Sequence, residues 1–519
     1  MTISGLKAAL ALCLCMAWPA QSWSDEHGEA AAAPVPPPYR LSVKRSLEVG
    51  GREVDYTVRA EEIYLRGEDD APTGSIFSIS YLEDGVDALE DRPVVFVFNG
   101  GPGSSSVWLH MGAWGPRRVV TPPDATGAGA APYELVDNAH SLLDVADLVF
   151  IDPVGTGYSR ALGATKPETF FGVNEDAESI AEFVRIWLTR NGRWQSPKYL
   201  AGESYGTTRA AAVSEKLQGG WNGVALNGVI LVSAILDFQT ARFAPGNDTA
   251  HLAFFPTMAA TAWHHGKIDT GQWRGDFDAF IDDARAFATF TLPPALIRGN
   301  TLTPDEKAAM AQQMAGYLGV APAWIEDANL RIEATHFRKE LLREQDLTVG
   351  RFDSRYTGID ASSVGDSPDN DPSGYGMDGA YTATVNAYLT GELGIDFRSP
   401  DEDGRPSGQQ LDREYKILSG EPGRNWNWDI YGRGWPAYVN VAPWLGKAMR
   451  ENPDYRVLLA SGWYDLATPF FGAEMSLMKN GVVPGRIDYT YYEAGHMMYL
   501  VEGEAEKLTE DVRNFIRDE

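Results

Sequence analysis

The chain has 519 residues, of which 44% are hydrophobic and 22% charged, a balance that excludes a disordered or fibrous protein. Lys and Arg number 44 against 72 Asp and Glu, a net charge of −28. Such an acidic surface repels polyanions, so nucleic acid is excluded as a partner. The length fits either several domains of ~150 residues or one large α/β unit that carries an insertion.

After Lys7, the apolar run Ala8 to Trp18 meets Pro19 and then the small residues Ala20, Ser22 and Ser24. This is the pattern of a secretory signal and is shorter than the ~20 apolar residues of a membrane span. Residues 1–24 are therefore expected to be a signal peptide, with a secreted or periplasmic, bacterial location and no stable membrane insertion. Cys13 and Cys15, the two cysteines, both lie inside it. The processed chain is then expected to hold no disulfide and no Cys metal site. Residues 25–38, rich in Ala and Pro, read as a flexible leader.

From Tyr39 the pattern turns regular. Residues 41–65 and 74–82 alternate apolar and polar, which predicts antiparallel strands at a sheet edge. Pro93 to Phe98 is an unbroken β-branched and aromatic run closed by Asn99-Gly100-Gly101-Pro102-Gly103, the mark of a buried strand ending in a Gly-rich loop. Leu148 to Ile151 predicts a second buried strand. Helical spacing over 175–188, with Ile180, Phe183, Val184, Trp187 and Leu188 on one face, predicts the crossover to a third strand at 198–201.

That strand runs into Gly202-Glu203-Ser204-Tyr205-Gly206, with a helix predicted over 207–217. G-x-S-x-G at a strand-to-helix turn is a nucleophile elbow. The glycines remove Cβ atoms where strand and helix crowd, and the helix N-terminus offers N–H groups to a developing oxyanion. On the chain order Ser, acid, His, five of the eight histidines follow Ser204. His496 alone stands in a loop after a predicted strand, 487–492. The acid is expected after the preceding strand, 455–460, where Asp465 stands. His264-His265 lacks an acid at helical spacing and reads as a packed pair. Asp369 to Gly374 resembles the start of a calcium loop, but Ala380 stands where a bidentate Glu is required. No metal and no cofactor are expected.

Asn99 to Ser106, Asp152-Pro153-Val154-Gly155-Thr156-Gly157-Tyr158-Ser159, Gly202 to Tyr205 and Ala494-Gly495-His496-Met497 together resemble the serine carboxypeptidase family, S10, over roughly residues 90–235 and 440–519. The resemblance implies an α/β-hydrolase fold with a central, mostly parallel sheet and an inserted, largely helical cap. The core is then 39–240 with 441–519, and the cap 241–440. It implies Ser204 as nucleophile, His496 as general base and then acid, and Asp465 as the group orienting the imidazole. The oxyanion hole is implied at the N–H groups of Gly101 and Tyr205. Asn99, Gly100 and Glu203 are implied to grip the free C-terminal carboxylate of a peptide substrate, most strongly at acidic pH because two carboxylates there share a proton.

Two departures stand out. Ser104 replaces the family's Cys, and Ala113 falls where a supporting Glu is expected, which weakens the shared-proton network and flattens the acid optimum. An esterase or acyltransferase would use the same three side chains, and a catalytically inactive binding protein is the remaining alternative. Residues 351–378 are expected to be a solvated cap loop, and helices are expected at 305–318 and 328–345. Trp426, Trp428, Trp435 and Trp444 are open between a hydrophobic subsite and cap-to-core packing.

Overall fold

Alternating burial shapes the first strands, β1 (Arg40–Val49) and β2 (Arg52–Arg66), which pair antiparallel with each other, and β2 then pairs with β3 (Pro72–Glu83). The computed structural model describes residues 35–517 except 220–222, 396–410, 412 and 433–436. The expected signal peptide, most of the expected leader, and Trp435 thus lie outside the described residues.

The continuous apolar runs become strands buried along their whole length: β4 (Val94–Phe98), β5 (Asp147–Asp152), β6 (Lys198–Glu203) and β7 (Gly228–Val232). A strand covered on both faces has no polar side to alternate with. With β8 (Arg456–Gly462) and β9 (Ile487–Tyr492) they complete a sheet of order β1-β2-β3-β5-β4-β6-β7-β8-β9, and Arg160–Ala161 adds a short strand beside β3. β3 meets β5 antiparallel, and every pairing from β5 to β9 is parallel. This is the mostly parallel sheet of an α/β hydrolase.

Separate apolar clusters cover the two faces. One takes Phe183, Val184 and Trp187 from α1 (Val173–Asn191) and Leu217 from α2 (Tyr205–Gln218). The other takes Leu109 and Trp114 together with Leu508, Val512 and Phe515 of the helix Glu502–Arg517.

Between β7 and β8, α3 (Thr249–His264), α4 (Phe277–Ala286) and α5 (Pro304–Leu318) build a third core around Phe254, Phe280 and Met314, joined by Trp463 from the loop after β8 and by Phe470 from the helix Phe470–Leu477 that follows it. The helix expected over 328–345 is shorter, Ala334–Glu340 with a turn at Arg343–Gln345. Asn329 and Leu330 sit at φ of 52° and 62°, a left-handed conformation no α-helix continues through. Later in the insertion, Met377, Tyr381 and Tyr388 pack into the sheet-face cluster instead of the helical one. No helix of the described residues is long and apolar enough to cross a membrane.

Candidate active site

The carboxyl ends of the parallel strands gather the residues singled out from the sequence. β6 ends at Glu203, and Ser204 follows at φ 59° and ψ −129°, a strained conformation for a residue with a Cβ. The turn closes only because its flanking residues are glycines: a Cβ on Gly202 would stand 2.1 Å from the Gly206 carbonyl oxygen. Tyr205 is the first residue of α2, so its N–H lacks an intrahelical acceptor.

The loop after β4 lies directly on this turn. A Cβ on Gly100 would meet the Tyr205 nitrogen at 2.5 Å, so close packing alone requires a glycine at Gly100, the position the resemblance implies for substrate binding. Gly101 has φ 106°, and neither its N–H nor that of Tyr205 donates a hydrogen bond among the described residues. Both stay available to an oxyanion.

Beneath the loop, sequence reasoning missed a buried ion pair: Arg209 Nε donates to Asp176 Oδ2 at 2.6 Å, and the same guanidinium donates to the Asn99 carbonyl. It spans α1, α2 and the loop after β4, holding Asn99 against the elbow. Nothing in the local pattern marks it, since Arg209 opens an Ala-rich helical segment that reads as solvent-facing.

Asp465 and His496 come from the loops after β8 and β9. His496 Nδ1 donates to Asp465 Oδ2 at 2.7 Å, with both residues buried. Asp465 Oδ1 accepts the N–H groups of Ala467 and Thr468, and Thr468 Oγ1 donates to Oδ2. Burial pulls the His496 pKa down, but the charge of Asp465, its hydrogen bond and then Glu203 outweigh burial, so the imidazole titrates above its ordinary range. The elbow and this pair are linked through β7: Ser204 N donates to the Val232 carbonyl, and Ser233 Oγ to the His496 carbonyl. The Ser204 hydroxyl makes no hydrogen bond to His496 among the described residues. Such contacts often tighten only around substrate.

The segment expected to be a solvated loop is in part the brace of this site. Asp353 and Ser354 are buried. The Phe352 carbonyl accepts from His496 N at 2.6 Å, Asp353 Oδ2 from Gly495 N at 3.1 Å, and the Arg351 carbonyl from Leu466 N. Ser354 N donates to the Tyr464 carbonyl, and Arg355 pairs with Asp353 while donating to the Glu493 carbonyl. One stretch of the insertion thereby ties down the loops carrying both Asp465 and His496. Composition concealed this because Asp, Ser and Gly serve turn geometry and solvent equally well; the largely exposed stretch is 359–370. Asp353→Ala is expected to cost about 3 kcal/mol by stranding Arg355 and the Gly495 N–H. Denaturant unfolding checks it: a loss below about 1 kcal/mol would mean that the brace does not hold the fold.

Glu203 is 3% exposed and accepts a 2.6 Å hydrogen bond at Oε2 from the Tyr499 hydroxyl. Burial raises its pKa to about 7, against the lowering influence of His496, Tyr499 and Asn99. Asn99 is equally buried. Its Oδ1 accepts from Leu109 N, while Nδ2 faces Glu203 without a hydrogen bond of full geometry among the described residues. Ala113, where the family's Glu is expected, is buried and uses its carbonyl to accept from Asn138.

Among the remaining residues singled out, Trp426 and Trp428 stack edge-on against Tyr205 at 5.3 and 5.9 Å between ring centroids, so they pack against the core. Trp444 is partly buried against the same cluster. His265 Nε2 donates to the Ser354 carbonyl and His264 packs on Tyr464. Asp371 Oδ1 accepts from Arg351 N and from Ser373.

Residues 81–274 match the sequence model of the family described as serine carboxypeptidase. "Serine carboxypeptidase-like 2" of Arabidopsis thaliana is 31% identical over 158 residues, covering 29% of this chain and 34% of that relative. "Serine carboxypeptidase-like 46" of the same plant is 25% identical over 195 residues, 36% of each chain. The alignments thus span about a third of the length of the curated relatives matched. Kex1(delta)p, a prohormone-processing carboxypeptidase from Saccharomyces cerevisiae, superposes with a TM-score of 0.55 at 16% identity, over 89% of this chain and 92% of that one, which shows a common fold. The fold is that of the α/β hydrolases, and the likeness to the serine carboxypeptidase family extends over residues 81–274.

Proposed function

We propose that the protein is a serine carboxypeptidase that releases C-terminal residues from peptides through an acyl-enzyme. The observation that carries this reading over an esterase is Glu203, a buried acid one residue before the nucleophile whose pKa sits near neutrality. An ester with no carboxylate on its leaving group has no use for it.

In this reading Ser204 attacks the last peptide carbonyl while His496 Nε2 takes its proton, and Asp465 stabilises the imidazolium. The N–H groups of Gly101 and Tyr205 receive the oxyanion. His496 then protonates the departing amine, and water, activated by the same imidazole, hydrolyses the acyl-enzyme. Asn99 Nδ2 and the protonated Glu203 hold the carboxylate of the leaving residue. Export directed by the apolar run 8–18 belongs to the same proposal, and the lack of cysteines beyond that run is compatible with a bacterial periplasm or exterior.

The test compares a blocked dipeptide with its C-terminal amide. The free acid is expected to be cleaved with at least ~100-fold higher kcat/KM, since a site built to hydrogen-bond one group strands its buried partners when the group is missing. Equal rates would refute the carboxypeptidase reading and leave an esterase or acyltransferase. The profile of kcat/KM for the acid is expected to be a bell near neutrality. It falls on the acid side as His496 becomes protonated, and on the alkaline side as Glu203 loses its proton near pH 7.

A further inference from the structure

In the cradle for the substrate carboxylate, Glu203 is held by a phenol. The Tyr499 ring is buried, its hydroxyl donates to Glu203 Oε2 at 2.6 Å, and Tyr381 closes around it: a Cβ on Gly112 would meet the Tyr381 hydroxyl at 2.2 Å and the Tyr499 ring at 2.6 Å. Trp108 packs against Tyr381 with ring centroids 4.9 Å apart. This leaves Tyr499 little freedom to swing away. Across the cradle, the buried Asn99 Nδ2 faces Glu203 without a hydrogen bond of full geometry among the described residues.

We propose that Tyr499 is a specificity-determining residue, whose hydroxyl fixes which oxygen of Glu203 carries the proton offered to the substrate carboxylate. The inference rests on the carboxypeptidase reading and deepens it. An oxygen that accepts from a phenol is the poorer place for a proton, so the acid hydrogen of Glu203 resides on Oε1. From there it is donated, with an Asn99 N–H, to the two oxygens of the peptide carboxylate. No bond is made or broken, and the proton stays shared between the two carboxyl groups. The phenol is itself held in the neutral form, since burial and the neighbouring Glu203 push its pKa far up. It therefore donates throughout the working range, where a second carboxyl would titrate. The titratable groups bearing on Glu203 are His496, Tyr499, Asp465 and Tyr381. Of these, Tyr499 alone donates a hydrogen bond to it.

Tyr499→Phe keeps the ring and removes only the donor. For a blocked dipeptide acid, KM is expected to rise about tenfold with kcat little changed. The alkaline limb should move to higher pH, because a hydrogen bond that favours the charged carboxylate is gone. For a blocked amino-acid ethyl ester, KM should stay within about twofold, well short of what a lost hydrogen bond costs. The rate of Ser204 labelling by a fluorophosphonate should be that of the wild type and shows the site to be intact. A wild type that does not distinguish the peptide acid from its amide overturns the parent reading and this inference with it. A wild type that does distinguish them overturns this inference alone if the Phe variant leaves KM for the acid unmoved, raises acid and ester equally, or keeps the limb in place.

Discussion

Ser204→Ala is expected to lower kcat for peptide hydrolysis by about a millionfold, the scale seen when a serine hydrolase loses its nucleophile. The local geometry favours so complete a loss. Ser204 occupies φ 59° at the tip of β6, and the crowding of Gly202 against Gly206 leaves no neighbouring hydroxyl a route to the same point. Thr207 and Thr208 follow on α2, but their hydroxyls donate to the backbone carbonyls of Ser204 and Ile235. Ala fits the backbone at least as well as Ser, so the variant should fold and keep its affinity for a peptide acid, because Asn99, Glu203 and Tyr499 are untouched. Residual turnover at the level left by the oxyanion donors, about 10³ to 10⁴ above water, is consistent with the mechanism. Peptide release at more than a hundredth of the wild-type rate, or fluorophosphonate labelling of the variant, would place the nucleophile elsewhere.

How much of this was legible in the sequence depends on where the determining contacts lie. The strands from β4 to β7 could be read because burial on both faces forces unbroken apolar runs, and the elbow because its glycines are demanded by contacts within five residues. Asp465 and His496 could be paired because each follows a strand in a fixed chain order, and their carboxylate and imidazole do meet. Tyr499, Thr468, Arg209 and the brace Arg351 to Arg355 escaped for a common reason. Each acts through a partner more than a hundred positions away, or through a backbone group that any residue provides, as Glu203, Ser233 and the Gly495 N–H show. Arg209 is the exception in distance, 33 positions from Asp176, yet an Arg within a helix reads as a solvated residue unless its burial is known. The absent Glu at Ala113 was legible as a loss. That a tyrosine three residues after His496 supplies the partner was not, because an aromatic beside a loop reads as core.

Asp465→Asn is expected to lower kcat by about ten-thousandfold, comparable to the same change in a serine protease triad, with a smaller effect on stability. The argument runs through the hydrogen bonds that fix the side chain. Asp465 Oδ1 accepts two backbone N–H groups, from Ala467 at 2.8 Å and Thr468 at 2.9 Å, and only an oxygen can occupy that place. An asparagine must keep its carbonyl there, so its NH₂ replaces Oδ2 and points at His496 Nδ1 and Thr468 Oγ1. To accept from that amide, the imidazole must carry its proton on Nε2, and the face turned to Ser204 then has no lone pair with which to accept the hydroxyl proton. The charge that holds the His496 pKa above its ordinary range is lost as well, so the acid limb of kcat/KM should move to lower pH while the maximum collapses. Thr468 makes the outcome sharper, since its hydroxyl donates to Oδ2 in the wild type and can turn to donate to the Ser233 carbonyl, at 2.9 Å, once an amide N–H stands opposite. The variant therefore settles into a complete hydrogen-bond set with the wrong tautomer, and the fold has little reason to reverse it. Kinetics across pH, with imidazole ¹⁵N shifts reporting the tautomer, test this directly: an Nδ1–H form persisting in a variant of near wild-type rate would remove Asp465 from the mechanism.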